Sequence, residues 1–192
     1  MRLVLASASP RRAELLRAAG IGFDVMPADI DEAIASGEQP EAYVRRIAGQ
    51  KSEATARQAP GRPILGADTI VVADAMVFGK PVDEADARRM LAVLSGRTHT
   101  VVTGVCLVNP AAEDGRARIA LARTDVEFAG LSRAEIAWYA ASGEPADKAG
   151  GYAIQGLGSR FVTRIDGSYS NVVGLPIALV YNLCRNAGLL IP

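Results

Sequence analysis

Residues 62–74 read RPILGADTIVVAD, an apolar, β-branched run that predicts a buried strand with a carboxylate, Asp68, and Thr69 in its middle. It is the strongest strand signal in the chain. Upstream, EAYVRRIAGQKSEATARQ follows Pro40 and predicts a long helix, with Val44, Ile47 and Ala48 on one apolar stripe. Lys51 lies seven residues beyond Val44, so it falls on the same stripe and is aimed inward. Further upstream, RLVLAS predicts a strand and Pro10 to about Ala19 a helix that Gly20 ends, with FDVMP as the next strand and DIDEA as a loop.

Downstream of MVFGKP the acidic start at Asp83, Glu84 and Asp86 and the stop at Gly96 frame a helix from about Asp83 to Ser95. THTVVTGVCLVN and RIALARTDVEFA predict a hairpin joined by the polar turn NPAAEDG, at 109–115. Ser132 and Glu135 form a capping box for a helix carrying Ile136, Trp138 and Tyr139. The glycine-rich DKAGGYAIQGLGSRF, a strand FVTRI, a loop DGSYSNVVG and a last helix from Pro176 to Ala187 complete the chain. Helices and strands are mixed, with hairpins toward the middle. An α/β fold built on a mixed sheet follows, rather than a strictly alternating doubly wound one.

At 192 residues and 49% hydrophobic content the chain is expected to form a single domain, residues 1–192. Lys+Arg and Asp+Glu both total 21, so no global basic field exists to attract a nucleic acid, and any anion site must be local. Cys106 and Cys184 lie in apolar runs without metal-site spacing and are expected to be reduced core thiols. The first apolar run is too short for a signal peptide and no window reaches membrane-helix length, so a cytoplasmic protein with no membrane partner is expected.

The stretch ASASPRR, residues 6–12, has Ser9 placed to cap a helix and Pro10 suited to its first position. Arg11 and Arg12 then fall in the first turn, where the helix dipole disfavours cations unless an anion joins them. Asp68, inside its strand, must be paired, metal-bound or protonated, or else sits at a strand end. Lys51 either snorkels to water or meets an anion. Glu32 is a second acid or a solubilising loop residue, and Lys80 and Lys148 lie in Gly/Pro-rich turns where a charge is usually solvated. The cations Arg11, Arg12, Lys51, Lys80 and Lys148 and the oxygen ligands Asp68 and Glu32 together suit a metal-bound triphosphate. A P-loop and a GxGxxG fingerprint are both absent, and a single histidine, His99, argues against zinc or a Ser-His-Asp triad.

SASPRR at 7–12, DE at 31–32, GADT at 66–69, GKP at 79–81, LSG at 94–96, SGEPADKAGGYAIQG at 142–156 and GSYSNVVGLP at 167–176 resemble the Maf family of nucleotide pyrophosphatases. The likeness runs from residue 3 to about 185. It implies a Maf/ITPase-like α/β fold, two lobes around a central cleft, and hydrolysis of a nucleoside triphosphate to monophosphate and pyrophosphate with a divalent cation, Mg²⁺ or Mn²⁺. By resemblance, Asp68 is the proton acceptor and a metal ligand with Glu32, while Ser9, Arg12, Lys51, Lys80 and Lys148 bind phosphates and nucleotide. Arg11, Thr69 and Gln155 match the positions that separate a dTTP/UTP subgroup from one acting on 7-methyl-GTP, and all three are of the pyrimidine type. CTP and modified pyrimidine nucleotides are further expected substrates, in a housecleaning role. The resemblance also carries a homodimer and, as the alternative to an enzyme, a nucleotide-binding regulator of septum formation. Ala8 stands where glycine is frequent, and Gln50 replaces a carboxylate beside Lys51, which implies lower metal affinity or rate.

Overall fold

The computed structural model describes residues 2–112 and 116–189. Residues 113–115 of the expected hairpin turn lie outside them. The strands are β1 (Leu3–Leu5), β2 (Phe23–Val25), β3 (Ile64–Ala73), β4 (Met76–Phe78), β5 (Thr98–Val108), β6 (Arg118–Phe128) and β7 (Val162–Asp166). The helices are α1 (Pro10–Ala18), α2 (Pro40–Gln58), α3 (Glu84–Leu94), α4 (Arg133–Ala140), α5 (Tyr169–Val173) and α6 (Ile177–Asn186). The seven strands form one sheet in the order β2-β1-β3-β5-β6-β7, with β4 on β3. β1 runs parallel to β2 and β3, while β3–β4 and β6–β7 are antiparallel, so the sheet is mixed as expected.

The chain divides into two compact units, one of Met1–Asp68, Thr103–Ala122 and Gly174–Pro192, the other of Thr69–Val102 and Arg123–Val173. In the first, Leu3, Leu5, Leu16, Leu65, Val105, Leu107, Leu175, Val180 and Cys184 share one buried core. α1 ends as its sequence demands. Gly20 takes φ +70°, its N–H donates to Arg17 O and that of Ile21 to Leu16 O, and Ile21 and Leu16 meet in the core. Both cysteines are free and buried, and burial pushes the Cys184 thiol up to about 11.

Two glycines let α2 settle on the sheet. A Cβ on Gly66 would stand 2.4 Å from Ser52 Oγ and 2.5 Å from Ala48 O, and one on Gly104 would stand 2.3 Å from Val44 O. Gly66 and Asp68 are two apart on β3 and so share a face. The strand therefore presents Asp68 to the helix whose backbone its glycine admits.

The second unit packs Val71, Phe78, Met90, Leu91, Leu94, Phe128, Tyr139, Tyr152 and Phe161 together. Asp83 caps α3 by accepting from Asp86 N at 2.7 Å, and both hydrogen bonds of the Ser132–Glu135 capping box are made. Two elements differ from the sequence expectation. β4 follows a two-residue turn in which Asp74 and Ala75 both have positive φ, 47° and 64°, a conformation that usually announces itself with glycine or asparagine. Residues 169–173, expected as loop, form α5, whose start is held by Asn171 N donating to Ser168 Oγ.

His99 is buried beside Phe128, at 4.8 Å between ring centroids, and its Nε2 shares a 2.8 Å hydrogen bond with the Tyr152 hydroxyl. Nδ1 has no partner among the described residues, so a charged ring would bury an unmet donor. Burial pulls His99 down to about 4 against the attraction of Asp125. The folded protein thus binds fewer protons than the unfolded chain between pH 6.5 and 4, and stability must fall as pH falls through that window. Urea unfolding at pH 7 and pH 5 is expected to show a loss of about 2 kcal/mol in the parent that His99→Gln does not suffer. Equal losses in both proteins would remove His99 as the cause.

Candidate active site

Lys51 is only 7% exposed and Asp68 only 6%, yet the two meet with Nζ 2.8 Å from Oδ1. The same ammonium reaches Glu32 Oε1 at 3.0 Å, and the Glu32 side chain is 48% exposed. A single lysine thus joins a buried carboxylate to a wet one. Two carboxylates thus share one ammonium. Neither the snorkelling of Lys51 nor a strand-end role for Asp68 survives this geometry.

Glu32 belongs to a loop without regular structure, which α2 holds in place. Tyr43 donates its hydroxyl to Glu32 O at 2.9 Å, and Arg46 donates to Ala33 O at 3.0 Å. Arg46 also grips both oxygens of Glu38 at 2.7 and 2.6 Å, and Glu38 in turn accepts from Ala35 N. The Arg46 hydrogen bonds draw the Glu38 carboxyl down to about 2. Burial, with the nearby charges of Asp68 and Glu32, raises the Tyr43 phenol, so it stays a donor. Tyr43, Ile47 and Lys51 recur every four residues on one buried face of α2, a signal legible in sequence once Lys51 is singled out. Gln50 is exposed and accepts from Arg46 at 3.3 Å.

At the start of α1, Ser9 holds the N-cap position in an extended conformation but makes no capping bond. Ser7 Oγ accepts from Ser9 N at 3.2 Å and from Arg12 Nη1 at 3.0 Å. Arg12 is buried, and it donates also to Ala67 O at 2.9 Å and, through Nε, to Gly174 O at 2.8 Å. Burial lowers the guanidinium from its ordinary value, while the fields of Asp68 and Glu32 hold it up. Arg12 therefore braces the backbone immediately before Asp68 and supplies positive charge to the same cluster. Arg11 is half-buried.

Thr69, Lys80, Lys148 and Gln155 belong to the second unit. Lys80 is exposed, and its loop is tied to the Lys148 segment by Gly150 N donating to Gly79 O at 3.0 Å. Gly150 has φ +71° and a Cβ there would stand 2.8 Å from a Val71 methyl, so only glycine fits. Lys148 Nζ donates to Glu144 O at 2.7 Å and Asp147 Oδ1 at 2.6 Å. Gln155 is exposed in a turn.

Among the described residues no group of three or more His, Cys, Asp or Glu side chains is placed to hold a metal. Asp68 and Glu32 nevertheless suit a hard divalent cation of the kind that takes one or two carboxylates and completes its shell with water and substrate phosphates. No helix among the described residues is long and apolar enough to cross a membrane.

Comparison with known proteins gives the relatives of the chain. The chain is 54% identical over 190 residues to the dTTP/UTP pyrophosphatase of Koribacter versatilis, covering 99% of this chain and 96% of that one. It is 53% identical to the dTTP/UTP pyrophosphatase of Anaeromyxobacter dehalogenans strain 2CP-C, covering 100% and 96%, and 51% identical to that of Myxococcus xanthus, covering 99% and 94%. The solved structure of the Staphylococcus aureus Ham1 protein superposes with a TM-score of 0.51 at 16% identity, over 97% of this chain and 99% of that one, a likeness of fold alone. The family model described as Maf-like protein matches residues 2–187, and with that match the chain belongs to the Maf family.

Proposed function

We propose that the protein is a nucleoside triphosphate pyrophosphatase that converts dTTP and UTP to the monophosphate and pyrophosphate. The observation that carries the reading is the meeting of buried Asp68 and half-exposed Glu32 on one ammonium, that of Lys51. Full-length relatives at 51–54% identity bearing that activity in their names support the substrate class. One domain spanning both units fits a family model that runs through them.

Asp68 and Glu32 would hold a divalent cation, Mg²⁺ or Mn²⁺, which when bound shields phosphate charge and lowers the pKa of water. The Asp68 carboxylate accepts a proton from the water that attacks the α-phosphorus. Lys51 holds that carboxylate in place and balances charge that grows toward the leaving pyrophosphate. Ser9 at the start of α1 meets phosphate oxygens, aided by the field of Arg12. In the second unit, Lys80 and Lys148 are assigned to the nucleotide by family resemblance. Arg11, Thr69 and Gln155 select the base. A carboxamide offers one donor and one acceptor to the O4 and N3–H of uracil or thymine. The reading carries with it a cytoplasmic location, where such nucleotides are found, and the homodimer that the family resemblance implies.

The test is a product assay across dTTP, UTP, CTP, GTP, 7-methyl-GTP and ATP with each cation, resolving pyrophosphate from orthophosphate. Pyrophosphate, released fastest with dTTP and UTP, supports the proposal, and orthophosphate or a purine preference contradicts it. Gln155→Glu, which sets a carboxylate against the O4 acceptor, is expected to lower kcat/KM for dTTP and UTP by roughly 10- to 100-fold. An unchanged ranking of substrates would place base reading elsewhere.

A further inference from the structure

The turn that carries Gln155 is gripped on both sides by two residues that the proposed reaction does not use. Before the turn, Ala153 N donates to the Tyr139 hydroxyl at 3.0 Å. After it, Leu157 N donates to Glu144 Oε2 at 2.9 Å and Gly158 N to Glu144 Oε1 at 3.0 Å. The grips are joined, because the Tyr139 hydroxyl donates to Glu144 Oε1 at 2.7 Å. Tyr139 is fully buried at the end of α4, packed edge-on to Phe161 at 5.1 Å between centroids. Glu144 is therefore anchored to the core rather than to the loop it holds. Two glycines leave room for the clasp. A Cβ on Gly156 would stand 2.0 Å from Glu144 Oε2, and one on Gly158 would stand 2.7 Å from the Tyr139 oxygen. The main chain of Glu144 also receives Lys148 Nζ at 2.7 Å, so one residue orders two of the side chains assigned to the nucleotide.

We propose that Tyr139 and Glu144 are positioning residues for base selection, a clasp that fixes the 153–158 turn and with it the carboxamide of Gln155. The inference rests on the proposed reading of Gln155. A carboxylate is needed because its two oxygens accept from three donors, whereas an amide in its place would turn an N–H against at least one backbone N–H. Burial opposes the ionised form of Glu144, but its hydrogen bonds to Leu157, Tyr139 and Gly158 win, and its carboxyl lies below the ordinary value. The clasp is thus closed wherever the enzyme works at neutral pH.

The experiment compares Glu144→Gln, Tyr139→Phe and Gln155→Glu with the parent, measuring kcat and KM for dTTP and for GTP together with amide hydrogen exchange at 153–158. Loss of one charge-assisted hydrogen bond corresponds to roughly tenfold in an equilibrium. Glu144→Gln is expected to raise KM for dTTP about tenfold with kcat little changed, to leave GTP kinetics as they were, and to speed exchange at Leu157 and Gly158. Tyr139→Phe is expected to shift the dTTP-to-GTP ratio the same way by a smaller factor, and it keeps the test sound should Glu144→Gln fold poorly. An unaltered ratio in both clasp variants, while Gln155→Glu shifts it, overturns the clasp and leaves the pyrimidine reading standing. An unaltered ratio in Gln155→Glu itself overturns both the clasp and the assignment of Gln155 to base reading.

Discussion

Asp68→Asn is expected to lower kcat for dTTP by ~10²- to 10⁴-fold, the usual scale of a lost general base, with KM changed far less. The amide keeps the size of the side chain, and its oxygen still accepts from Lys51, which now lies 2.8 Å from Oδ1. It cannot take a proton. The variant therefore separates the proton-accepting role from packing, provided its urea midpoint stays near that of the parent. Turnover within a fewfold of the parent would remove Asp68 from the reaction and leave it a structural partner of Lys51.

The second large effect concerns stability. Lys51→Met takes away the cation between a 6%-exposed carboxylate and its half-exposed neighbour. Glu32 has water to turn to. Asp68 does not, and breaking such a buried pair from one side typically costs about 3–5 kcal/mol. The lower figure is expected, since the field of Arg12 still acts on Asp68. Unfolding at pH 7.5 should therefore show a loss of about 3 kcal/mol, and Asp68→Asn added to Lys51→Met should restore most of it. A loss under about 1 kcal/mol, or full additivity of the two substitutions, would mean that the pair is not coupled as the geometry indicates.

What is legible in the sequence depends on the kind of signal each residue sends. Asp68 interrupts a buried apolar strand and Lys51 an apolar helical stripe, and both violations are visible without a structure because burial makes an isolated charge so costly. That they face one another follows from Gly66, two residues before Asp68, where the helix comes within a methyl group of the strand. Glu32 sends no such signal, as its loop has no periodicity, and the sequence alone leaves it a second acid or a solubilising loop residue. The hydrogen bonds of Tyr43 and Arg46 that hold that loop join residues 11 and 13 apart, with no pattern to announce them.

Elsewhere local chemistry has rival solutions. Ser9 is well placed to cap α1, yet its side chain makes no cap bond, while Ser7 Oγ accepts from Ser9 N and from the Arg12 guanidinium. Arg12 reads as a phosphate ligand from its place in the first turn. Its contacts with Gly174 O and Ala67 O cross 162 and 55 residues of chain, distances over which sequence pattern says nothing. α5 spans five residues and β4 three, too short for periodicity to separate them from loop. The Tyr139–Glu144 clasp is of the same kind, since its partners are backbone N–H groups that every residue but proline possesses.

The central claim, that water attacks the α-phosphorus of a pyrimidine nucleoside triphosphate at Asp68, is tested most directly by hydrolysing dTTP with Mg²⁺ in ¹⁸O-water and weighing the products. One ¹⁸O in dTMP and none in pyrophosphate is the predicted result. Label in pyrophosphate or orthophosphate, or release of dTDP, would contradict it.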